Sequence, residues 1–403
     1  MLRSNRNLAY VVLARFVSRL GGSAVWFIGT MGVAAYVFEA TPRQLAIMSA
    51  INGIAAIAGS LIAGVLIDRF GPRKVMIWAE FGSIPPVLWM MVAPTLPLFV
   101  LGSAGFSLFG IPTWTAGASF APYIVAGRAE LERANAYIEG GSAVGFVLGP
   151  ALGAIVSNAF NQRSVFWVMV ICSLIAAAAA WQTHIDETPR EHIGTAWADF
   201  KDGLRISYTT RSILYCIVMG TAVWLGFGAF SALEPLFYRD VVGVGVEWIG
   251  WMNTAFGVGL VSGAALLPRL PAKVVSARGL AVYTTLAGLG TILYVGSTDL
   301  RLIAAGAIVW GVIIGGLEPL LRTLLHLDSP HEYVGRIVGT AQWHRSLGEL
   351  VPLAFVPALA VLLGIQQTLV GGGLLVAAIA LVSYPVAVVI DRSRGQAAVT
   401  SEA

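Results

Sequence analysis

Charge is what this sequence has least of. Asp, Glu, Lys and Arg make up 11% of its 403 residues, against about 25% in an average soluble protein. Apolar residues make up 57%. No single soluble core absorbs that much apolar chain, so a water-soluble globular protein is excluded. Cysteine is nearly missing: the two present, Cys172 and Cys216, both fall inside apolar runs. There a thiol behaves as a small hydrophobe, and a disulfide framework, a zinc ribbon or a redox pair is excluded. The five histidines form no metal-spaced cluster. His184 and His192 fall in a polar stretch and read as solvated loop residues. No motif pairs a nucleophile with a base, so an enzyme is not expected, nor a cofactor or metal.

What is there is a series of apolar runs, about a dozen, each of about 20 residues or more and each able to cross a bilayer. They fall near 8–37, 43–67, 74–93, 96–126, 132–157, 164–182, 211–238, 246–267, 277–297, 301–326, 335–363 and 366–390. The longer ones imply tilt or included loop. The fold class is therefore all-α integral membrane, with the lipid bilayer as the chain's main partner. Met1–Tyr10 is short and basic, and the run after it is too long for a signal peptide, so it reads as a retained first span.

The basic residues divide unevenly between alternate connections. One set holds Arg3, Arg6, Arg69, Arg73, Lys74, Arg128, Arg133, Lys201, Arg205, Arg269, Lys273, Arg278, Arg392 and Arg394, among others. The opposite set holds only Arg43, Arg163, Arg239 and Arg301. The positive-inside rule then predicts cytoplasmic termini and a cytoplasmic central loop. Residues 183–210 form that loop. Asp186, Glu187, Pro189, Arg190, Glu191 and His192 break the helices, and Trp197, Phe200, Leu204 and Tyr208 recur at helical spacing opposite Asp199, Asp202 and Arg205. This predicts an amphipathic helix on the inner membrane surface, between a bundle over 1–182 and a second over 211–403. The charges need no nucleic-acid partner.

The most pointed stretch is Gly64 to Lys74, between the second and third runs. Asp68, Arg69, Arg73 and Lys74 crowd together in a chain where charge is scarce. Gly64 predicts a close backbone approach, and Gly71 followed by Pro72 a tight turn. This spacing resembles the signature loop of the major facilitator superfamily, in the place where that family carries it. A second stretch, Gly145, Gly149-Pro150 and Gly153, predicts a smooth face for close helix packing. It resembles the fifth-helix motif of exporters in the same family, although Ala136 stands where that motif has a further glycine. The second half repeats the first: with an offset of 200, Gly59 matches Gly259, Arg69 matches Arg269 and Arg73 matches Lys273, while Pro268 and Pro271 replace Asp68 and Gly71. Internal repeats are usual in secondary transporters.

The resemblance implies two six-helix bundles around a central cavity and a monomeric secondary transporter working by alternating access. Its partners would be a small-molecule substrate and protons, its location the inner (plasma) membrane. Bacterial drug and macrolide efflux proteins are the relatives it looks most like. It also implies a lock, in which Asp68 meets the start of the eleventh span near Arg336. Export or facilitation of a polar or anionic metabolite or siderophore is the alternative reading, and a non-transporting receptor is a reading of another class.

Ionisable residues within spans are functional candidates by default, because lipid does not tolerate them. Arg15, Arg19, Gly22 and Trp26 share one face of the first helix. Arg15 reads as snorkelling to the inner interface, and the deeper Arg19 as functional. Glu80 reads as structural, within reach of the basic turn, and Glu139 as a titratable group. Glu234-Pro235 and Glu318-Pro319 echo one another, each glutamate beside a proline that unties a carbonyl. Arg322 lies one turn beyond Glu318, as an i,i+4 partner or a functional charge. Arg345 and Glu349 share a face near mid-membrane. Glu318, Glu349 and Glu139, in that order, are the expected proton carriers, with Arg19, Arg322 and Arg345 as counter-charges. Trp26, Trp114, Trp224 and Trp310 are candidate cavity aromatics.

Overall fold

The computed structural model describes residues 5–125, 127–185, 196–330 and 333–402. They form α1 (Arg6–Tyr36), α2 (Pro42–Phe70), α3 (Pro72–Val92), α4 (Leu96–Ala118), α5 (Arg128–Ala159) and α6 (Val165–Trp181). Then follow α7 (Ala196–Thr209), α8 (Arg211–Leu236), α9 (Glu247–Leu266), α10 (Ala277–Val295) and α11 (Leu300–Asp328). The last are α12 (Val334–Leu350), α13 (Val356–Leu363) and α14 (Ile365–Glu402).

Among the described residues, ten helices are long and apolar enough to cross a membrane, and eleven if the bent pair α12–α13 is one span. The bend is 45°, at the prolines Pro352 and Pro357 that the sequence places there. The ninth apolar run becomes α10, 19 residues long and outside that set. Arg278 and its threonines dilute its apolar character. Only 22% of the apolar window of α2 is buried, and Leu61, Val65, Val361 and Val382 stand outward. Such a surface is stable where lipid, not water, covers it.

The helix starts are written in the sequence. Asn5 caps α1 by accepting from the Leu8 amide, and Thr41 with Gln44 forms a capping box on α2. Gly71 ends α2 at φ 82°, a left-handed conformation that glycine accepts, with Pro72 starting α3. Two π-helical turns, Val25–Gly32 in α1 and Phe237–Val242 after α8, have no signal in the apolar pattern.

The chain divides into two compact units, Met1–His192 with Tyr238–Thr254, and Ile193–Phe237 with Ala255–Ala403. In the first, Gly145, Gly149 and Gly153 bring α5 onto the α1 backbone: a Cβ at each would press on Phe16, Leu20 and Ala24 in turn. That is the smooth seam expected of the glycine spacing, here between α1 and α5. The segment from Tyr238 is tied to the end of α1. Arg239 donates to the Ala35 and Ala40 carbonyls, and Tyr36 donates its hydroxyl to the Val244 carbonyl at 3.0 Å.

In the second unit, Gly228 and Gly348 make the corresponding seam between α8 and α12, against Glu349 and Thr221 carbonyls. Asp391 of α14 caps α10, accepting from the Ala277 amide at 2.9 Å, the Arg278 amide at 3.1 Å and Arg278 Nε at 2.8 Å. α7 lies on α12, where Gly203 meets the Arg336 carbonyl and the Thr340 hydroxyl. Residues 186–195, which hold the helix-breaking part of the expected linker, lie outside the described residues. The internal repeat reaches the contacts themselves: Gly59 faces the Leu108 carbonyl in one unit and Gly259 faces the Ile308 carbonyl in the other, both partners shifted by 200.

Candidate functional site

In the second unit the intramembrane charges converge. Glu318 of α11 accepts from Arg345 of α12 at 2.9 Å and from the Trp224 indole of α8 at 3.4 Å. The Arg345 guanidinium lies 4.5 Å from the centre of the Trp224 ring. Three helices thus meet at one carboxylate, which stays 33% exposed. The two charges come from different helices, so the contact depends on packing and not on the spacing along α11. Arg322, the i,i+4 neighbour, is exposed. Glu318 takes Arg345 instead, which α12 brings to 2.9 Å. Glu349 lies half-buried one turn from Arg345 and feels its charge.

A column of rings starts at Trp224. Phe227 stacks on Trp224 and on Trp310, with ring centres 5.1 Å apart in both pairs. Tyr294 stacks on Trp310 at 5.5 Å and donates its hydroxyl to Glu234 at 2.6 Å. The two Glu-Pro echoes, Glu318 and Glu234, are therefore the two ends of one aromatic column. Trp310 is its core: it is 6% exposed and its indole donates to the Ala287 carbonyl. Phe227 and Tyr294 carry no charge and no neighbouring motif that marks them in the sequence. The signal for Phe227 is its place three residues after Trp224, on the same face of α8.

The first unit holds the other cluster. Arg15 is 3% exposed and does not snorkel. It donates to the Trp114 carbonyl at 3.0 Å and to Glu139 at 3.5 Å, in a space that Gly117 leaves open against its stem. α4 and α5 supply those acceptors inside the bundle, so the interface offers it nothing better. Arg19, one turn on, lies against two rings: its guanidinium carbon is 5.1 Å from the centre of Trp114 and 4.8 Å from that of Phe146. Trp114 is exposed and Trp26 half-buried. Glu80 is fully buried, not at the basic turn. Its polar neighbours are Ser18, Ser173 and Arg15, none in bonding geometry with the carboxylate oxygens.

The turn after α2 is anchored within the first unit. Arg73 donates to the carbonyls of Trp181 at 2.7 Å and Ala180 at 3.4 Å, at the C-terminal end of α6, where basic groups are favoured. Arg69 packs over Phe70. Asp68 lines a small hollow with Tyr123 and Asn135. Gly64 faces open space, with no backbone close to it. The close approach expected there is not made among the described residues, where a side chain at Gly64 would meet open space.

A multi-pass helical chain, with two units that repeat each other's glycine contacts and with ion pairs inside its spans, is built as a membrane carrier. The sequence profile of the Major Facilitator Superfamily matches residues 11–352, and the chain belongs to that superfamily. It is 21% identical over 407 residues to the uncharacterised MFS-type transporter YfiS of Bacillus subtilis, covering 95% of this chain and 94% of the relative. It is 24% identical over 363 residues to the multidrug efflux pump Tap of Mycobacterium tuberculosis, covering 84% of each. Its fold matches a bacterial homologue of the human lysosomal transporter Spinster with a TM-score of 0.72 at 14% identity, over 96% of this chain and 97% of that one. The protein is a multi-pass membrane transporter of the major facilitator fold.

Proposed function

We propose that the protein exports small amphipathic molecules across the inner membrane by alternating access, driven by protons moving inward. The observation that carries this reading is the Glu318–Arg345–Trp224 junction. A carboxylate held by an arginine within the spans is a site where a proton and a cationic partner compete. Protonating Glu318 removes the charge that holds Arg345 and loosens α11 from α12; deprotonation restores the pair. The aromatic column beside it offers flat apolar surface, as an amphipathic substrate requires. The likeness to a multidrug efflux pump supports the direction and the substrate class.

The test is transport in proteoliposomes with an imposed pH gradient and a panel of amphipathic drugs. The unsubstituted protein should move at least one panel member with the gradient. Glu318→Gln should reduce gradient-driven flux by about a hundredfold, the scale of losing a charge-assisted pair, while keeping substrate exchange without a gradient. Gradient-driven flux that is unchanged in Glu318→Gln removes Glu318 from the mechanism and passes the test to Glu349.

A further inference from the structure

We infer that Arg19 is a receptor for an acidic group, and that the first unit binds amphipathic organic anions through it. The inference rests on the transporter reading above and narrows its substrate class. α1 begins at Arg6, so Arg19 lies about 20 Å along the helix at 1.5 Å per residue, deep within the span. A guanidinium at that depth needs a counter-charge. Arg15 has one in Glu139, with the Trp114 carbonyl as a second acceptor. Arg19 is bonded to neither: among the described residues no carboxylate or carbonyl accepts from its side chain, although the charge of Glu139 reaches it. What it has is two rings, Trp114 at 5.1 Å and Phe146 at 4.8 Å.

Two rings do different work from a carboxylate. They stabilise the cation through its faces and leave its N–H edge unused. Arg19 is half-buried, and its nitrogens are not fully sealed as Arg15 Nε and Arg345 Nε are. A planar group with two oxygens matches the N–H edge: a carboxylate, sulfonate or phosphate would accept two parallel bonds. Trp114, 48% exposed, would carry the apolar body of the same molecule. Glu139 is the nearby carboxylate whose charge reaches Arg19, and its contact is with Arg15 and not with Arg19. A cationic amphiphile, by contrast, would meet Arg15 and Arg19 together.

The test uses the purified full chain in phosphatidylcholine nanodiscs, with calorimetric titration of 1-naphthoate and of 1-naphthylmethylammonium. The two probes share a body and differ in charge. Naphthoate should bind, more weakly as salt rises, and Arg19→Gln should weaken it by about tenfold or more, the loss of a charged hydrogen-bonded contact. The ammonium probe should bind more weakly than naphthoate, and Arg19→Gln should leave it equal or tighter. Arg19→Lys keeps the charge without the planar edge, and should lose at least about fivefold for naphthoate. It serves as the decisive variant if Arg19→Gln does not fold. Nanodiscs with phosphatidylglycerol separate the two sources of acid: naphthoate affinity that falls as this lipid is added, in the unsubstituted protein and not in Arg19→Gln, makes a lipid headgroup the competing occupant of the same site. Naphthoate affinity within twofold in both variants overturns the inference. Naphthoate that fails to bind while Glu318-dependent efflux persists overturns it alone. Failure of both removes the transporter reading as well.

Discussion

At the scale of single residues, small side chains decide where the charged ones go. Arg15 is buried because Gly117 yields the space beside its stem and because Trp114 and Glu139 supply acceptors. A Cβ at Gly117 would overlap Arg15 Cδ. Gly117→Val should therefore displace the guanidinium and destabilise the folded protein by about 1–3 kcal/mol, as overpacking does. A lowered melting temperature in detergent, with Gly110→Val as an open-space control, would check it. The case also marks what the sequence could reveal. Arg15 and Arg19 stand on one face of a helix, and that much is legible from their spacing. Which of them is paired depends on where α4 and α5 cross α1, and no spacing within α1 carries that. The same holds for Glu318. Its proline and its neighbour Arg322 are visible in the chain, but its partner Arg345 comes from another helix.

At the scale of elements, the turns and seams were the most legible features. Gly71-Pro72 ends one helix and starts the next as their conformational limits require. Glycines four residues apart predict a seam, and α5 makes it against α1. The π-helical turns were illegible, since they change the hydrogen-bond register without changing the apolar pattern. The turn after α2 also carries a functional expectation. Arg73 fixes it to the end of α6, so Asp68 is presented from a rigid corner. Asp68→Asn keeps the shape of that corner and removes its charge. It should insert and fold normally and reduce transport by about tenfold, the loss of one charge-assisted contact. Flux in proteoliposomes, set against an unchanged melting curve, is the measurement. Normal flux would leave Asp68 with no part in gating.

At the scale of the whole molecule, the repeat and the charge distribution make separate statements. The repeat was legible as an offset of 200 between glycines and basic residues, and it recurs as matched backbone contacts, Gly59 with Leu108 and Gly259 with Ile308. It survives because a helix crossing at backbone distance tolerates no side chain, whereas the turns between helices were free to diverge. Orientation rests on charge. Lys201 and Arg205 of α7, the turn at Arg69 to Lys74 and the C-terminal Arg392 and Arg394 belong to the basic set of connections. The connection from Gly296 to Asp299, between α10 and α11, belongs to the other set. Translocating a basic segment opposes the membrane potential, so the basic set should stay in the cytoplasm. The two native cysteines are buried and can be removed by Cys172→Ala and Cys216→Ala. In that background, Lys201→Cys should react with a membrane-impermeant maleimide only in inside-out vesicles. Thr298→Cys should react only in intact cells. Both residues are exposed on the protein, so a missing signal reports the membrane and not the fold. Labelling of both positions from one side would mean that the chain crosses the membrane an even number of times between them, and the alternation of spans from α8 to α10 would have to be redrawn.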